Sequence, residues 1–347
     1  MKALSQGLKP ESFAGGNVRT KVRTYLRGKY AGLLVVSWCV LWGCVRAWGA
    51  TYYVTVAGLG GEPDYEQRFT ANAMDLDKIF KSEAGAHVVT LTGKQSTKVR
   101  LAEAMAEVAR DAKPEDELVL TLIGHGSFDG VEYKFNLVGP DVSASELAAM
   151  CDKVRAQRQL IVDTTSASGG AVQALERPGR AVIVATKSGT EKNATVFARY
   201  WVEALEDPTT DTDKSESISA MEAFAYADRK TAEFYTSQKR LATEHPEFED
   251  TGKGDAVRLT GTESVAEAGG AGREGALMAT FTVVRLGAAQ AAMNDPAKRG
   301  LMARKEELEQ RIDALKYQKA AMEPGEYKKE LTAALVELAK VQEQLDK

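Results

Sequence analysis

The chain has 347 residues, of which 44% are hydrophobic and 27% charged, with a formal net charge of −4. This is the composition of a globular protein with room for one large domain or two ordinary ones. The charge is uneven: residues 1–50 hold eight Lys or Arg and one Glu, a balance of +7, and the remainder carries −11. An acidic body excludes nucleic acid as the main partner, because phosphate binding needs a basic face. A lone body cysteine, Cys151, excludes an internal disulfide or a thiolate metal cluster there.

Residues 1–29 are polar and basic, with Lys21, Arg23, Arg27 and Lys29, and Tyr30 to Val45 is uncharged and apolar. Arg46 closes the run ahead of Ala47-Trp48-Gly49-Ala50. A basic segment, a short apolar segment and small residues, in that order, mark export. The run is shorter than the roughly 20 residues of a spanning helix. Three readings stay open for residues 1–50. They are a cleaved signal peptide, an uncleaved membrane anchor, and a lipoprotein processed at Leu41-Trp42-Gly43-Cys44. All three place the body outside the cytoplasm, in a periplasm or beyond, and the last two tether it to a membrane.

The body opens with a strand, Tyr52 to Ala57, and a Gly-rich turn, Gly58-Leu59-Gly60-Gly61. That turn lacks the G-x-G-x-x-G spacing of a dinucleotide site. A helix from Tyr65 puts Phe69, Ala73, Leu76 and Phe80 on one face. His87 to Thr92 is a second strand, and Ser96 to Ala112 a helix with Leu101, Met105 and Val108 inward. Leu118 to Ile123 is continuously apolar, as expected of a central strand covered on both faces. Ser143 and Glu146 form a capping box for a helix that buries Leu147, Met150, Cys151 and Val154. Leu160 to Asp163 and Ala181 to Ala185 are further strands, and Val196, Phe197, Tyr200, Trp201 and Leu205 form a helical stripe. Strands alternating with amphipathic helices define an α/β three-layer sandwich with a mainly parallel sheet.

Residues 211–222 read DTDKSESISAME. Asp211, Asp213, Ser215, Ser217 and Glu222 fall on positions 1, 3, 5, 7 and 12 of a calcium loop, but position 6, which needs Gly, is Glu216. The plain reading is a solvated acidic loop with a cap for the helix Met221–Lys230; weak calcium binding is the alternative, and no other cofactor is expected. Residues 249–275 read as a long loop. Ala276 to Leu286 reads as a strand that closes a sheet edge. Residues 298–347 carry leucines at sevenfold spacing on either side of Pro324-Gly325, a helical hairpin or short coiled coil suited to self-association. The domains expected are thus 1–50, 51–290 and 298–347.

Two strand ends carry the chemistry. LVLTLIGHGS presents His125 between glycines, and about forty residues on, QLIVDTTSASGG presents Thr164, Thr165 and Ser166 before Ser168-Gly169-Gly170. In parallel sheets sites form beyond the carboxyl ends of strands, and a His facing a hydroxyl suggests base and nucleophile. A structural turn residue and a polar strand terminus explain the two turns equally well on spacing alone. His87 and His245 read as incidental.

The pattern as a whole resembles the caspase-like cysteine peptidases, a group with caspases, metacaspases and legumain-type peptidases. GHG ends the first strand, SGG follows the second, and TKSGTEKNATVFARYWVEAL follows the fifth. The likeness spans roughly residues 51–287. It implies that His125 is the general acid/base and that the backbone N–H of Gly126 lines an oxyanion hole. Ser166, or Thr165 if the register shifts by one, then stands where the family has cysteine. A thiol is already a few per cent thiolate at neutral pH, and a hydroxyl is not. The resemblance therefore implies a pseudopeptidase that binds peptide or protein. The alternatives are a hydrolase with a His125–Ser166 dyad, and a scaffold acting through the C-terminal helices.

Overall fold

A computed structural model describes residues 49–259, 274–319 and 322–347. The signal, anchor and lipobox readings fall on residues outside the described ones. The body begins with strand and helix in alternation: β1 (Thr51–Ala57), α1 (Pro63–Lys81), β2 (Ala86–Leu91), α2 (Lys98–Asp111) and β3 (Glu117–Ile123). A small antiparallel sheet follows, made of β4 (Gly126–Phe128), β5 (Tyr133–Phe135) and β6 (Val142–Ser143). It leads into α3 (Ala144–Asp152), β7 (Arg158–Asp163), a short α4 (Val172–Leu175), β8 (Arg180–Val184) and α5 (Phe197–Glu206). Then come β9 (Ser217–Ser219), α6 (Ala220–Ser237) and β10 (Glu247–Glu249). The chain ends with α7 (Ala276–Thr280), β11 (Thr282–Arg285), α8 (Gly287–Asn294), α9 (Arg299–Gln318) and α10 (Pro324–Leu345).

The main sheet has the order β10-β8-β7-β3-β1-β2. Its strands run parallel except for β10, which pairs antiparallel with β8. Alternation along each strand feeds two cores. Tyr53, Val119, Ile123 and Val162 pack with Phe69 and Phe80 of α1, Trp201 of α5 and Phe224 of α6. Val54, Leu118, Leu120 and Ile161 pack with Leu101 and Met105 of α2, Leu147 and Cys151 of α3, and Val172 of α4. Helices on both faces of a mainly parallel sheet are the α/β three-layer arrangement expected from the alternating pattern. β3 lies inside it, buried from Leu118 to Ile123.

Local chemistry sets the helix ends. Pro63 sits in the first turn of α1, where its missing N–H costs nothing. At α3 the capping box is present in full: Glu146 N–H donates to Ser143 Oγ at 3.3 Å, and Ser143 N–H donates to Glu146 Oε2 at 3.0 Å. Cys151 lies in the buried stripe of this helix, and burial pushes its thiol up to about 11, so it stays protonated and unreactive.

One expected element differs. Residues 276–286 are not a single strand at the edge of the main sheet. They form α7 and then β11, which pairs with β9 in a separate two-stranded sheet. The edge is instead taken by the three residues of β10, which the Gly- and acid-rich stretch after them obscured. α7 is held at its start by a carboxylate: Asp250 accepts N–H groups from Gly275, Leu277 and Met278. A buried acid 26 residues away from Ala276 thus specifies a helix where the ALMATFTVV pattern suggests extension.

α9 and α10 form the expected hairpin, with Leu308, Ile312, Leu315, Ala334 and Val341 buried. It is attached to the body. Arg285 at the end of β11 bonds Glu306 of α9 through Nε (2.8 Å) and Nη2 (3.2 Å), and reaches Glu83 at 3.4 Å. Lys305 Nζ lies 3.2 Å from Glu216 Oε2.

Candidate functional site

The sheet brings the two turns together. Leu122 on β3 is in register with Asp163 on β7, so the chain leaves both strands side by side. Beyond β3, Gly124-His125-Gly126 turns into β4. Beyond β7, Thr164 keeps its place in the ladder: its N–H and Oγ1 both donate to the Leu122 carbonyl, at 3.0 and 2.8 Å.

The second turn is closed. Thr164, Thr165, Ser166 and Ser168 are each no more than 2% exposed, and each hydroxyl has a partner. Thr165 Oγ1 shares a 2.6 Å hydrogen bond with the Tyr133 hydroxyl and donates to the Ser166 carbonyl at 3.1 Å. Ser168 Oγ and Thr186 Oγ1 lie 3.2 Å apart, and Gly169 N–H donates to Thr186 Oγ1 at 2.9 Å. Gly169 admits no side chain, since a Cβ would overlap the backbone of Thr186, Lys187 and Ser188. Ala167 takes a left-handed φ of 57°, a conformation that costs an alanine about 1–2 kcal/mol. Its N–H donates to the Glu191 carbonyl at 2.7 Å, a contact that pins the turn to the loop after β8.

Ser166 occupies the place opposite the first turn. Its Oγ accepts the Gly126 N–H at 3.1 Å and donates to the Gly126 carbonyl at 3.1 Å. The N–H that would line an oxyanion hole is therefore already bonded to the hydroxyl that would be the nucleophile. A Cβ on Gly126 would overlap the Ser166 carbonyl oxygen and the Tyr133 ring, so the sequence can place only glycine there.

His125 faces another way. Its ring meets the edges of Tyr65 and Phe69, with centroids at 4.7 and 5.1 Å and interplanar angles of 74° and 75°. Burial holds the imidazole below its ordinary pKa and Arg68 acts in the same sense, against a hydrogen bond to the Gly60 backbone and the charge of Glu62. Among the described residues no hydrogen bond joins the His125 ring to Ser166 or Thr165. The structure thus brings Gly126, Ser166 and Thr165 into one cluster, with His125 beside it and directed at the aromatic pair.

Beneath the turn sits Asp163, which residue spacing did not single out. It is fully buried, and Oδ1 accepts the Thr165 N–H at 3.1 Å. Oδ2 has no hydrogen-bond partner among the described residues. Burial pushes the carboxyl up to about 6, against the pull of Thr165 and Tyr133. Tyr133 is itself raised, by burial first and then by the Asp163 charge.

His245 also has a partner. Its Nδ1 lies 2.5 Å from Glu191 Oε1, in the same loop whose carbonyl holds Ala167. The two residues are 54 positions apart, and no spacing in the sequence announces the pair. His87 stacks on Tyr52 at 4.6 Å and stands apart from both turns in sequence and in contact.

In the acidic loop, carboxylate oxygens of Asp211, Asp213 and Glu222 lie within 4.8 Å of one another. Glu216, at the position that calls for Gly, adopts φ 65°. Asp211 accepts N–H groups from Ser215 and Glu216, at 3.0 and 2.9 Å, and Asp213 accepts from Ser215 at 2.9 Å. Ser215 and Ser217 hydroxyls lie 3.0 Å apart. Glu222 completes a capping box with Ser219 for α6 and takes Thr212 N–H at 2.8 Å. Burial raises the carboxyls of both Asp211 and Glu222.

No protein-family model matches the sequence, and a search of curated proteins finds no match. Among solved structures, the chain is similar to a protein from Geobacter sulfurreducens, with a TM-score of 0.42 and 14% identity over 69% of this chain and 99% of that one. It is similar to caspase-1 from Spodoptera frugiperda, with a TM-score of 0.42 and 11% identity over 58% of this chain and 87% of that one. It is also similar to the Drosophila initiator caspase Dronc, with a TM-score of 0.39 and 10% identity over 58% of this chain and 79% of that one.

Proposed function

We propose that the chain is an exported caspase-like pseudopeptidase, in which the His125 and Ser166 turns form a binding site for an extended peptide or protein segment. The observation that supports this over hydrolysis is the bonding of Ser166. A serine nucleophile needs a base within hydrogen-bond reach and a vacant donor pair for the oxyanion. Here Ser166 Oγ is bonded to both backbone groups of Gly126 and is 2% exposed. The His125 ring makes its contacts with Tyr65, Phe69 and Gly60. The strand ends keep the frame of a site, and the reacting groups are used within it.

A peptide library incubated with wild type, His125→Ala and Ser166→Ala tests the reading. Turnover should equal the buffer rate in all three, while fluorescence anisotropy of library peptides should detect binding that His125→Ala weakens. Cleavage by wild type that disappears in either variant would falsify the pseudopeptidase and establish the dyad. Export rests on the basic and apolar N-terminal segment, and fractionation of cells expressing the full chain checks it: recovery with cytoplasmic markers would count against it. The C-terminal hairpin is the proposed surface for self-association, and the sedimentation coefficient of the chain against one truncated at residue 297 reads that directly.

A further inference from the structure

At the end of the sheet opposite the two turns, the segments that lead into β7 and β8 enclose a crevice of about 220 Å³. The six residues of β7 separate it from the turn after Asp163 by roughly 20 Å. Arg155 and Gln157 line it on the β7 side, and Arg177, Gly179 and Arg180 on the β8 side; among the described residues no acid lines it. A tight turn sets two of the arginines. Arg177-Pro178-Gly179-Arg180 closes with the Arg180 N–H donating to the Arg177 carbonyl at 3.0 Å, and Gly179 has a φ of 82°. Proline second and a left-handed glycine third are the residues of a type II turn. Its first and last residues stand opposite one another, and Arg177 and Arg180 form a β-bridge.

Arg180 is the buried member, with a side chain 1% exposed. Its Nε donates to Gln159 Oε1 at 2.9 Å, Nη1 to the Leu175 carbonyl at 2.9 Å, and Nη2 to Asp152 Oδ1 at 2.8 Å. A guanidinium has five N–H groups, so these bonds leave donors on both terminal nitrogens. The same Asp152 oxygen takes Arg177 Nη1 at 3.2 Å, and its carboxylate is 55% exposed. Arg155 donates to the Arg110 carbonyl at 3.2 Å and, among the described residues, pairs with no carboxylate. Three guanidiniums thus share one half-solvated carboxylate, on a body whose net charge is −11. A buried cation is costly unless its charge is fully paired.

We propose that this crevice binds a phosphoryl dianion, either inorganic phosphate or the phosphate end of a small monoester. Three arginines against one aspartate leave a surplus of two positive charges, which a dianion offsets. Tetrahedral oxygens let several guanidinium forks bond at once, whereas a carboxylate offers two oxygens in one plane. The volume is below the roughly 300–1,000 Å³ of sites for larger ligands, so it holds a phosphate and the first atoms of an ester and excludes a nucleotide.

Titration calorimetry of inorganic phosphate into the full chain tests this, at about pH 7.5, where a phosphomonoester is largely dianionic, and at constant ionic strength made up with chloride. Saturable binding is expected. Arg155→Gln and Arg177→Gln replace exposed side chains and should each weaken it about tenfold, the loss of a charge-assisted hydrogen bond. Glycerol phosphate separates the two sources: tighter binding than inorganic phosphate assigns the crevice to an ester, weaker binding to the free ion. A second measurement requires no variant to fold. In the NMR spectrum of wild type, phosphate should shift the amides of Gly179 and Arg180 and leave that of Gly126 in place. Heats equal to those of chloride, acetate binding as tightly as phosphate, variants equal to wild type, or shifts confined to other parts of the chain would each overturn the proposal.

Discussion

The turn at Thr164–Gly170 and the loop at Asp211–Glu222 look alike in the sequence. Both are hydroxyl-rich runs that lead into a helix, and both match a functional pattern at all but one position. The structure uses them in opposite ways. In the turn, the chain has drawn its polar groups below the surface and bonded the hydroxyls to backbone and to each other, because a buried polar group without a partner costs more than any single bond returns. In the loop, three carboxylates lie together, with Asp213 exposed, Asp211 half-buried and Glu222 buried. Their partners are mostly backbone N–H groups within the loop, which water or a cation can replace. Burial, more than residue type, decides which polar cluster remains available.

The largest test of this contrast is at Asp163. Its folded value of about 6 lies above the roughly 3.9 of an unfolded aspartate, so the folded state holds the proton more tightly. That stabilisation is full below pH ~4 and is lost as pH rises to about 6, a swing on the order of 3 kcal/mol. Asp163→Asn removes the swing. In urea unfolding, the variant should gain on wild type by on the order of 2–3 kcal/mol between pH 4 and pH 7.5. A difference that stays flat with pH would mean the turn is open enough to hydrate the carboxylate.

Ser166 gives an intermediate effect. Ser166→Ala strands the N–H and carbonyl of Gly126, and should destabilise by about 1–3 kcal/mol at every pH. Ser166→Cys places a thiol in the same closed position. It should react with a thiol reagent at least tenfold more slowly in native buffer than in urea, as is expected of the buried Cys151; rapid native labelling would show that the turn opens.

The smallest effect belongs to the acidic loop. With a dissociation constant of about 1 mM, 10 mM calcium adds about 1.4 kcal/mol of stability and raises Tm by a few degrees. Chelator should reverse the shift and Asp213→Asn should remove it. An unchanged Tm would make the loop a helix cap and nothing more, and would bring the two regions back to one type.

Much of the fold was legible because it is written in periodicity. The strands before Asp163 and the stripes of α1, α2, α3 and α5 are set by residues a few positions apart, and the capping box at Ser143 is a four-residue signal. What escaped is non-local. α7 depends on Asp250 reaching Gly275, Leu277 and Met278, and β10 is three residues whose identity as a strand lies in its pairing with β8. The site divides in the same way. His125 and Ser166 stood out as residue types at strand ends, and the turn residues are where spacing placed them. Their bonding was not legible, since it depends on which backbone groups of Gly126 point at Ser166. Tyr133 and the His245–Glu191 pair enter through contacts spanning 32 and 54 residues, for which a single sequence carries no mark.

The ties made by β11 bear on the order in which the chain assembles. Tyr53, in the first strand of the body, donates its hydroxyl to the carbonyl of Val283, 230 residues on. Two residues beyond Val283, Arg285 joins Glu83 to Glu306. A strand whose contacts lie 230 residues further along the chain has to wait for them, and closure over such a distance slows folding. The parallel strands β1, β2 and β3 can collapse together early, yet Tyr53 and Glu83 acquire these partners only once Val283 and Arg285 are in place. The body is thus fastened through β11, and until that strand docks, β1 remains accessible to chaperone or protease.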